Sequence, residues 1–163
     1  MGVRNCEELG VNLQKIVSRL MANDRLVNLL YYSDKDPLNS PPLSKEQKQN
    51  EVYEKLIKII PRVGPTETAK SIISLRVISG TKLSSNSEFR TIKIGIEVFV
   101  PLTQWFIKDS NLRPFAILGE IEKSLDGKSI NGLGKMRGGD FDLNFLTDEM
   151  SAYEQVFWIT EYE

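Results

Sequence analysis

The chain has 163 residues, 40% hydrophobic and 26% charged, a length and composition typical of one folded domain. Its 21 basic and 22 acidic residues give a formal net charge of -1, so no overall charge attracts nucleic acid or an anionic membrane. The single cysteine and the absence of histidine exclude an intramolecular disulfide, cysteine–histidine zinc sites and histidine-based catalysis.

Neither a signal peptide nor a membrane helix is predicted. Residues 1–10 lack the apolar core of a secretory signal. No apolar run approaches the roughly 18 residues that a membrane-spanning helix needs. We therefore expect a soluble protein that does not contact a membrane.

Two helices are predicted near the N-terminus. Apolar residues recur at helical spacing over residues 13–21, and Asn12 is a candidate cap for the start of this helix. Asn23 and Asp24 then break the pattern, and the apolar residues between 26 and 32 predict a second, short helix.

Residues 33–50 hold three prolines and few apolar side chains, which predicts a long, exposed polar loop with little burial to order it. Ser44 and Gln47 have the spacing of a capping box, so a helix could begin there and run toward Pro61. An extended conformation before Pro61 remains equally open.

The clearest pattern in the chain is a strand at residues 91–100. Ile92, Ile94, Ile96, Val98 and Val100 fall on one face, with Thr91, Lys93, Gly95 and Glu97 on the other, which is typical of a half-buried strand. Residues 71–79 show the same alternation, and the link at 80–89 is polar and rich in turn formers. These two strands are therefore predicted to form a long antiparallel hairpin with a protruding loop.

The C-terminal third predicts a helix at residues 111–126, with Pro114 in its first turn and Gly127 at its end, followed by two strands. In the first of these strands Phe141, Leu143 and Phe145 alternate with Asp140, Asp142 and Asn144; the second covers residues 155–159. The helix carries an apolar stripe at Phe115, Leu118, Ile121 and Leu125.

The predicted fold is α+β: a four-stranded, mainly antiparallel sheet with helices packed on one face, in the order α, loop, β-β, α, β-β. One domain is predicted over residues 1–163. Six residues are expected to form the core between sheet and helix: Ile94, Ile96, Val98, Leu118, Ile121 and Leu125.

Two segments could be taken for chemical sites. The glycine-rich residues 132–139 lack the Gly-Lys-Ser/Thr ending of a phosphate loop and precede a strand, so we interpret them as a twisted or bulged segment. Asp140 and Asp142 share a strand face on which they could meet a cation, but a solvated face explains them better. We therefore predict no catalytic residue, no metal site and no cofactor.

Two further groups of residues are candidates for contact with partners. The adjacent aromatics Trp105 and Phe106 lie in a connection and could anchor a partner, although packing of one of them between sheet and helix is the favoured alternative. Lys82, Lys135 and Arg137 are loop cations that would face a polyanion if copies of the domain formed a ring.

The order of elements, and four short strings within it, resembles the tail-terminator and neck (head–tail joining) proteins of tailed bacteriophages. The resemblance runs from about residue 59 to the end of the chain. The strings are IIPRV at 59–63, IEVFVP at 96–101, RPFAILGEIEKSLDG at 113–127 and GLG at 132–134.

This resemblance implies a structural virion protein, assembled in the host cytoplasm, that forms a homo-oligomeric ring, commonly a hexamer. Such a ring caps the tail tube, joins it to the head connector and makes passing contact with DNA in its lumen. It implies no catalytic residues, so we predict that the chain is not an enzyme. Two alternatives remain: a small enzyme or nucleic-acid processing factor that uses carboxylates and a divalent cation, and a cellular adaptor domain of the same topology.

Overall fold

The computed structural model describes residues 6–59, 70–85 and 90–160. Its helices, numbered in chain order, are α1 (Glu7–Met21), α2 (Asp24–Tyr31), the single turn α3 (Lys45–Gln47) and α4 (Arg113–Leu125). The sequence predicted a break at Asn23, and this residue is the N-cap of α2. Its side chain accepts a hydrogen bond from the amide of Leu26 at 3.1 Å.

The main sheet has six strands in the order β1-β2-β3-β8-β7-β6. Only β1 and β2 pair in parallel; the other neighbours are antiparallel. A separate pair, β4 and β5, precedes α4. The strands are β1 (Ile57–Lys58), β2 (Ile72–Lys82), β3 (Arg90–Pro101), β4 (Phe106–Ile107), β5 (Asn111–Leu112), β6 (Ser129–Ile130), β7 (Gly134–Leu146) and β8 (Met150–Thr160).

The mixed α+β class and the mainly antiparallel sheet are confirmed, but the prediction of four strands is wrong. The four long strands β2, β3, β7 and β8 match the four predicted ones. Two short edge strands, β1 and β6, extend them into a curled six-stranded sheet. Each of these has two residues, which is too short for an alternating pattern to appear in the sequence.

The core lies between α4 and one face of the sheet, which we call the inner face; the opposite side is the outer face. Ile73, Leu75 and Val77 of β2 belong to the inner face, opposite the alternate residues of β3. All six predicted core residues are buried, at 3% exposure or less. Phe115, predicted for the same stripe, is instead 39% exposed, because it lies at the margin of the helical layer.

Two local predictions in the N-terminal half need correction. Asn12 does not cap α1, which begins at Glu7; its side chain is buried and its Nδ2 donates to the carbonyl of Gly132 at 3.1 Å. The capping box at Ser44 is present, but the helix that it starts continues only as a π-helical turn to Val52. Residue 57 already belongs to β1.

The segment at 33–50 is mostly exposed, yet two of its side chains, Pro37 and Leu43, are buried. The Nδ2 of Asn28 and the hydroxyl of Tyr32 donate to its carbonyls at residues 40 and 41, at 2.9 and 2.8 Å. These contacts hold the segment against α2. Of the string at 59–63 only Ile59 lies among the described residues, and 86–89 of the predicted hairpin link also lie outside them.

The guanidinium of Arg113, the first residue of α4, is completely buried. Its Nε donates to the carbonyl of Gln104 at 2.8 Å, and its Nη1 donates to the carbonyls of Leu29 and Tyr32 at the end of α2. Its Nη2 donates to the carbonyl of Asp34. Burial lowers the pKa of Arg113, and the negative charge of Asp34 opposes that shift. One side chain therefore joins α4 to α2 and to two connecting segments.

Glu120 makes the second polar contact between these helices. Burial raises the pKa of its carboxyl, but hydrogen bonds from Asn23, Arg25 and Lys123 outweigh burial and hold the pKa below its ordinary value. The Nε of Arg25 lies 3.0 Å from the Glu120 carboxylate. The charged form of Glu120 is thus the one that the fold favours.

Replacing Leu118 by alanine is expected to lower the free energy of unfolding by about 2–5 kcal/mol, because it leaves a cavity in the core under β3. The exposed Val11→Ala, on α1, serves as the control and is expected to change it by less than about 0.5 kcal/mol. Denaturant titration of both variants measures the difference. Equal, small losses would show that α4 presents another face to the sheet.

Arg113→Met is expected to cost at least about 3 kcal/mol of unfolding free energy, because it leaves several buried carbonyls without a donor. Arg137→Met, at an exposed position, is the matched control and is expected to cost less than about 0.5 kcal/mol. Chemical denaturation followed by circular dichroism measures both. A loss below about 1 kcal/mol for Arg113→Met would mean that water replaces the guanidinium at little cost.

Candidate assembly surface

The C-terminal end of β7 and the turn after it, residues 140–149, are exposed along their whole length. This stretch carries large apolar side chains, each between 48% and 60% exposed: Phe141, Leu143, Phe145 and Leu146. We call residues 140–146 the bare end of β7. Such a concentration of apolar surface is characteristic of a site that another protein covers.

Two bulges decide which way these side chains point. The β7–β8 register shifts between Gly138 and Asp140 and again between Leu143 and Phe145. Leu143 lies opposite Tyr153 on the inner face, whereas the second shift places Phe145 opposite Ala152, on the outer face. The predicted single apolar face of this strand is therefore wrong: apolar groups appear on both sides because the extra residue reverses the alternation.

Four aromatic residues form a cluster where the helical layer ends. The ring centroid of Phe115 lies 5.3 Å from that of Tyr153 and 6.1 Å from that of Phe141, and Phe141 lies 6.0 Å from Tyr153. Trp105 joins them at 6.3 Å from Phe115, and its Nε1 donates to the hydroxyl of Ser151 at 3.0 Å. The aromatic cluster connects the core to the inner face of the bare end.

The two aromatics that the sequence singled out therefore lie in different surroundings. Trp105 is half-buried in the aromatic cluster, as the packing alternative had it. Phe106, the next residue, is 70% exposed in β4. A role in anchoring a partner stays a prediction for both.

Within the described part of the chain, no strand lies beside the outward edge of β7 over the bare end. β6 pairs with β7 only at Gly134 and Lys135, and no other described strand lies on that side. In an antiparallel strand, alternate N–H and C=O groups along such an edge point away from the sheet. The bare end therefore offers backbone groups that no described strand pairs, as well as apolar side chains.

Charge is divided between the two ends of the sheet. Residues 140–149 contain four carboxylates and no lysine or arginine, the acids being Asp140, Asp142, Asp148 and Glu149. The three cations singled out from the sequence lie at the opposite end, which we call the hairpin end. There Lys82 lies opposite Arg90 in the β2–β3 register, and Lys135 and Arg137 lie opposite Thr160 and Trp158 in the β7–β8 register. Trp158 in turn lies opposite Lys93 of β3.

An ion network on the outer face fixes the bare end in place. The guanidinium of Arg76 lies 2.7 Å from the carboxylate of Glu97 and also contacts that of Glu154. Asn144, at the second bulge, donates to Glu97 at 2.8 Å across β8. The sequence analysis missed this network because its members are far apart in the chain and are individually ordinary charged residues.

The glycine-rich segment is bulged, as interpreted from the sequence. Gly138 and Gly139 have positive φ, and β7 is irregular between Gly138 and Asp140. A Cβ on Gly138 would lie 2.3 Å from the carbonyl oxygen of Val156, so only glycine allows β8 to approach this closely.

Asp140 and Asp142 both lie on the outer face, opposite Val156 and Glu154. Across the described part of the chain, no group of three His, Cys, Asp or Glu residues has the geometry to hold a metal ion. Within residues 6–59, 70–85 and 90–160, no helix has the length and apolarity that spanning a membrane requires.

Replacing Leu143 and Leu146 together by threonine is expected to change the free energy of unfolding by less than about 1 kcal/mol. Both side chains are more than half exposed, and threonine keeps the propensity for a strand. Denaturant titration measures this, with the buried pair Leu118→Thr and Leu125→Thr as the destabilised control. A loss above about 2 kcal/mol would show that the leucines belong to the core.

Comparison with known proteins places the chain in a family. The model of the YomW family matches residues 23–159, most of the chain, and the chain belongs to that family. The family name is that of a Bacillus phage-derived protein, of an SPbeta-like prophage, which makes this chain phage-related. No curated protein matches the chain.

Proposed function

We propose that this member of the YomW family is a structural component of a tailed-phage particle and acts as a closed ring of identical copies, most simply a hexamer. The observation that carries the proposal is the bare end of β7: a strand edge with free backbone groups and four exposed apolar side chains. The relation to a phage-derived family supports it.

A surface of this kind disfavours an isolated monomer. Natural proteins protect long apolar edge strands because such edges pair with other chains. Here the bare end is held by the Arg76–Glu97–Asn144 contacts and by the aromatic cluster, so it is part of the folded shape. A permanent partner in an assembly accounts for its retention.

A ring is the closed form of repeated head-to-tail contacts between identical copies. In this proposal the ring caps the tail tube and joins it to the head connector. It assembles in the host cytoplasm and remains in the virion. Lys82, Lys135 and Arg137, all at the hairpin end, would then meet the DNA that passes through the lumen. Such a component needs no catalytic residue and no cofactor.

Electron microscopy of phage particles that encode this chain, with a small tag on its gene, tests the proposal. We expect several symmetry-related copies in one ring at the tail–head junction. Particles from the Leu143→Thr, Leu146→Thr variant are expected to lack the ring or to stop at incomplete assemblies. A tagged Val11→Thr variant, changed at an exposed residue of α1, serves as the control and is expected to be incorporated into particles normally.

Absence of the chain from purified particles, or a single asymmetric copy, would refute the ring. A normal ring in particles of the Leu143→Thr, Leu146→Thr variant would agree with the proposed ring, but it would show that the bare end of β7 does not form the contacts between copies.

A further inference from the structure

The outward edge of β7 changes character after Gly138. Before that point described groups pair with it: the amide of Gly127 donates to the carbonyl of Met136 at 2.8 Å, and the amide of Gly138 donates to the carboxylate of Asp126 at 3.1 Å. Over residues 140–146 the described part of the chain supplies no such partner, and every residue there is exposed. Among the described residues, the edge is thus unpaired over the whole bare end.

The side chains between the two bulges form two rows of different chemistry. Asp140 and Asp142 lie on the outer face, and Phe141 and Leu143 lie on the inner face. A strand added at this edge would place its own side chains beside these rows, because cross-strand neighbours share a face. Lysine or arginine would match the outer row, and apolar residues would match the inner row. A segment in which the two kinds alternate meets both requirements, since successive residues of a strand point to opposite faces.

A second copy of this chain fits the edge poorly. Its stretches that come nearest to the required alternation, residues 92–94 and 135–137, already have described neighbours on both sides in the sheet. Its own bare end carries only acids, and like charges on neighbouring strands are unfavourable. The chemistry of the edge therefore favours a segment of a different protein.

We infer that the bare end of β7 accepts an added strand from a different protein of the same assembly, an extended segment in which Lys or Arg alternates with apolar residues. Main-chain hydrogen bonds would supply affinity, and the two rows of side chains would supply specificity. The inference goes beyond the proposed ring. The added strand would use the edge at residues 140–143, between the bulges, and leave Phe145 and Leu146 for contact between copies.

A synthetic peptide of sequence KVKVKVK, blocked at both termini and fluorescently labelled, is the probe, and the full-length protein is its target. Fluorescence anisotropy at about 0.15 M salt measures binding. We expect this peptide to bind at least about tenfold more tightly than KKKKVVV, which has the same composition and charge without the alternation. The acidic peptide EVEVEVE is expected not to bind.

Two protein variants with the same change of charge locate the site. Asp140→Asn with Asp142→Asn is expected to weaken binding of KVKVKVK about fivefold, because both acids beside the added strand are lost. Asp148→Asn with Glu149→Gln removes two exposed acids from the turn that follows. This control is expected to change binding by less than about twofold, since screening limits the reach of surface charges. Thermal melts confirm that both variants are folded.

Two further measurements identify the contact and its natural occupant. Hydrogen exchange followed by NMR is expected to show new amide protection within residues 140–146 when KVKVKVK is bound. In phage particles, a photo-crosslinking amino acid introduced at Phe141 is expected to link this chain to a different protein, within a segment that has the basic–apolar alternation.

Any of four results would overturn the inference. They are no binding of KVKVKVK at about 1 mM, equal binding of KKKKVVV, equal weakening by the two variants, and links from Phe141 to another copy of this chain alone. The last would show that a second copy occupies the edge. None of them removes a ring seen in particles, and absence of the ring would leave the peptide measurements unchanged, so the inference and the proposed function can fail separately.

Discussion

Arg113 places a guanidinium where water cannot reach it, and backbone carbonyls from three segments supply the hydrogen bonds that water would have made. Two of these carbonyls, at Leu29 and the C-cap Tyr32, are among those that the end of α2 leaves unpaired, where the helix dipole also favours a cation. Because the guanidinium is planar, its acceptors have to converge in fixed directions. The positions of α2 and of the connection before α4 follow from this.

The exposed surface depends on the same residue. The Arg113 amide donates to the carbonyl of Trp105 at 2.7 Å, and its side chain binds the preceding carbonyl, at Gln104. Trp105 is thereby held so that its indole reaches Ser151 on β8 and packs on Phe115. The helical layer ends at this cluster, and β7 extends beyond it. The bare end exists because the sheet is longer than the layer that covers it.

Local patterns predicted the long elements, and contacts between distant residues decided the rest. The alternation of β3 and the stripe of α4 were sufficient because each repeats many times. Arg113 gave no such signal, because arginine is usually exposed. Its burial depends on carbonyls that are distant in the chain; that of Tyr32, for example, lies 81 residues earlier. The exposure of Phe141 was likewise hidden, because an alternating strand shows which residues share a face but not whether a helix covers that face.

Net charge conceals what the fold does with charge. A formal value of -1 predicts no overall attraction to nucleic acid or an anionic membrane, yet among the described residues the fold places four carboxylates toward one end of the sheet and five cations toward the other. These cations are Lys82, Arg90, Lys93, Lys135 and Arg137. Near-neutral copies do not repel one another as a whole, so local complementarity can orient them as they approach. In the proposed ring, the apolar side chains of the bare end would supply the driving force for contact between copies, and the separated charges would restrict how the copies can be oriented.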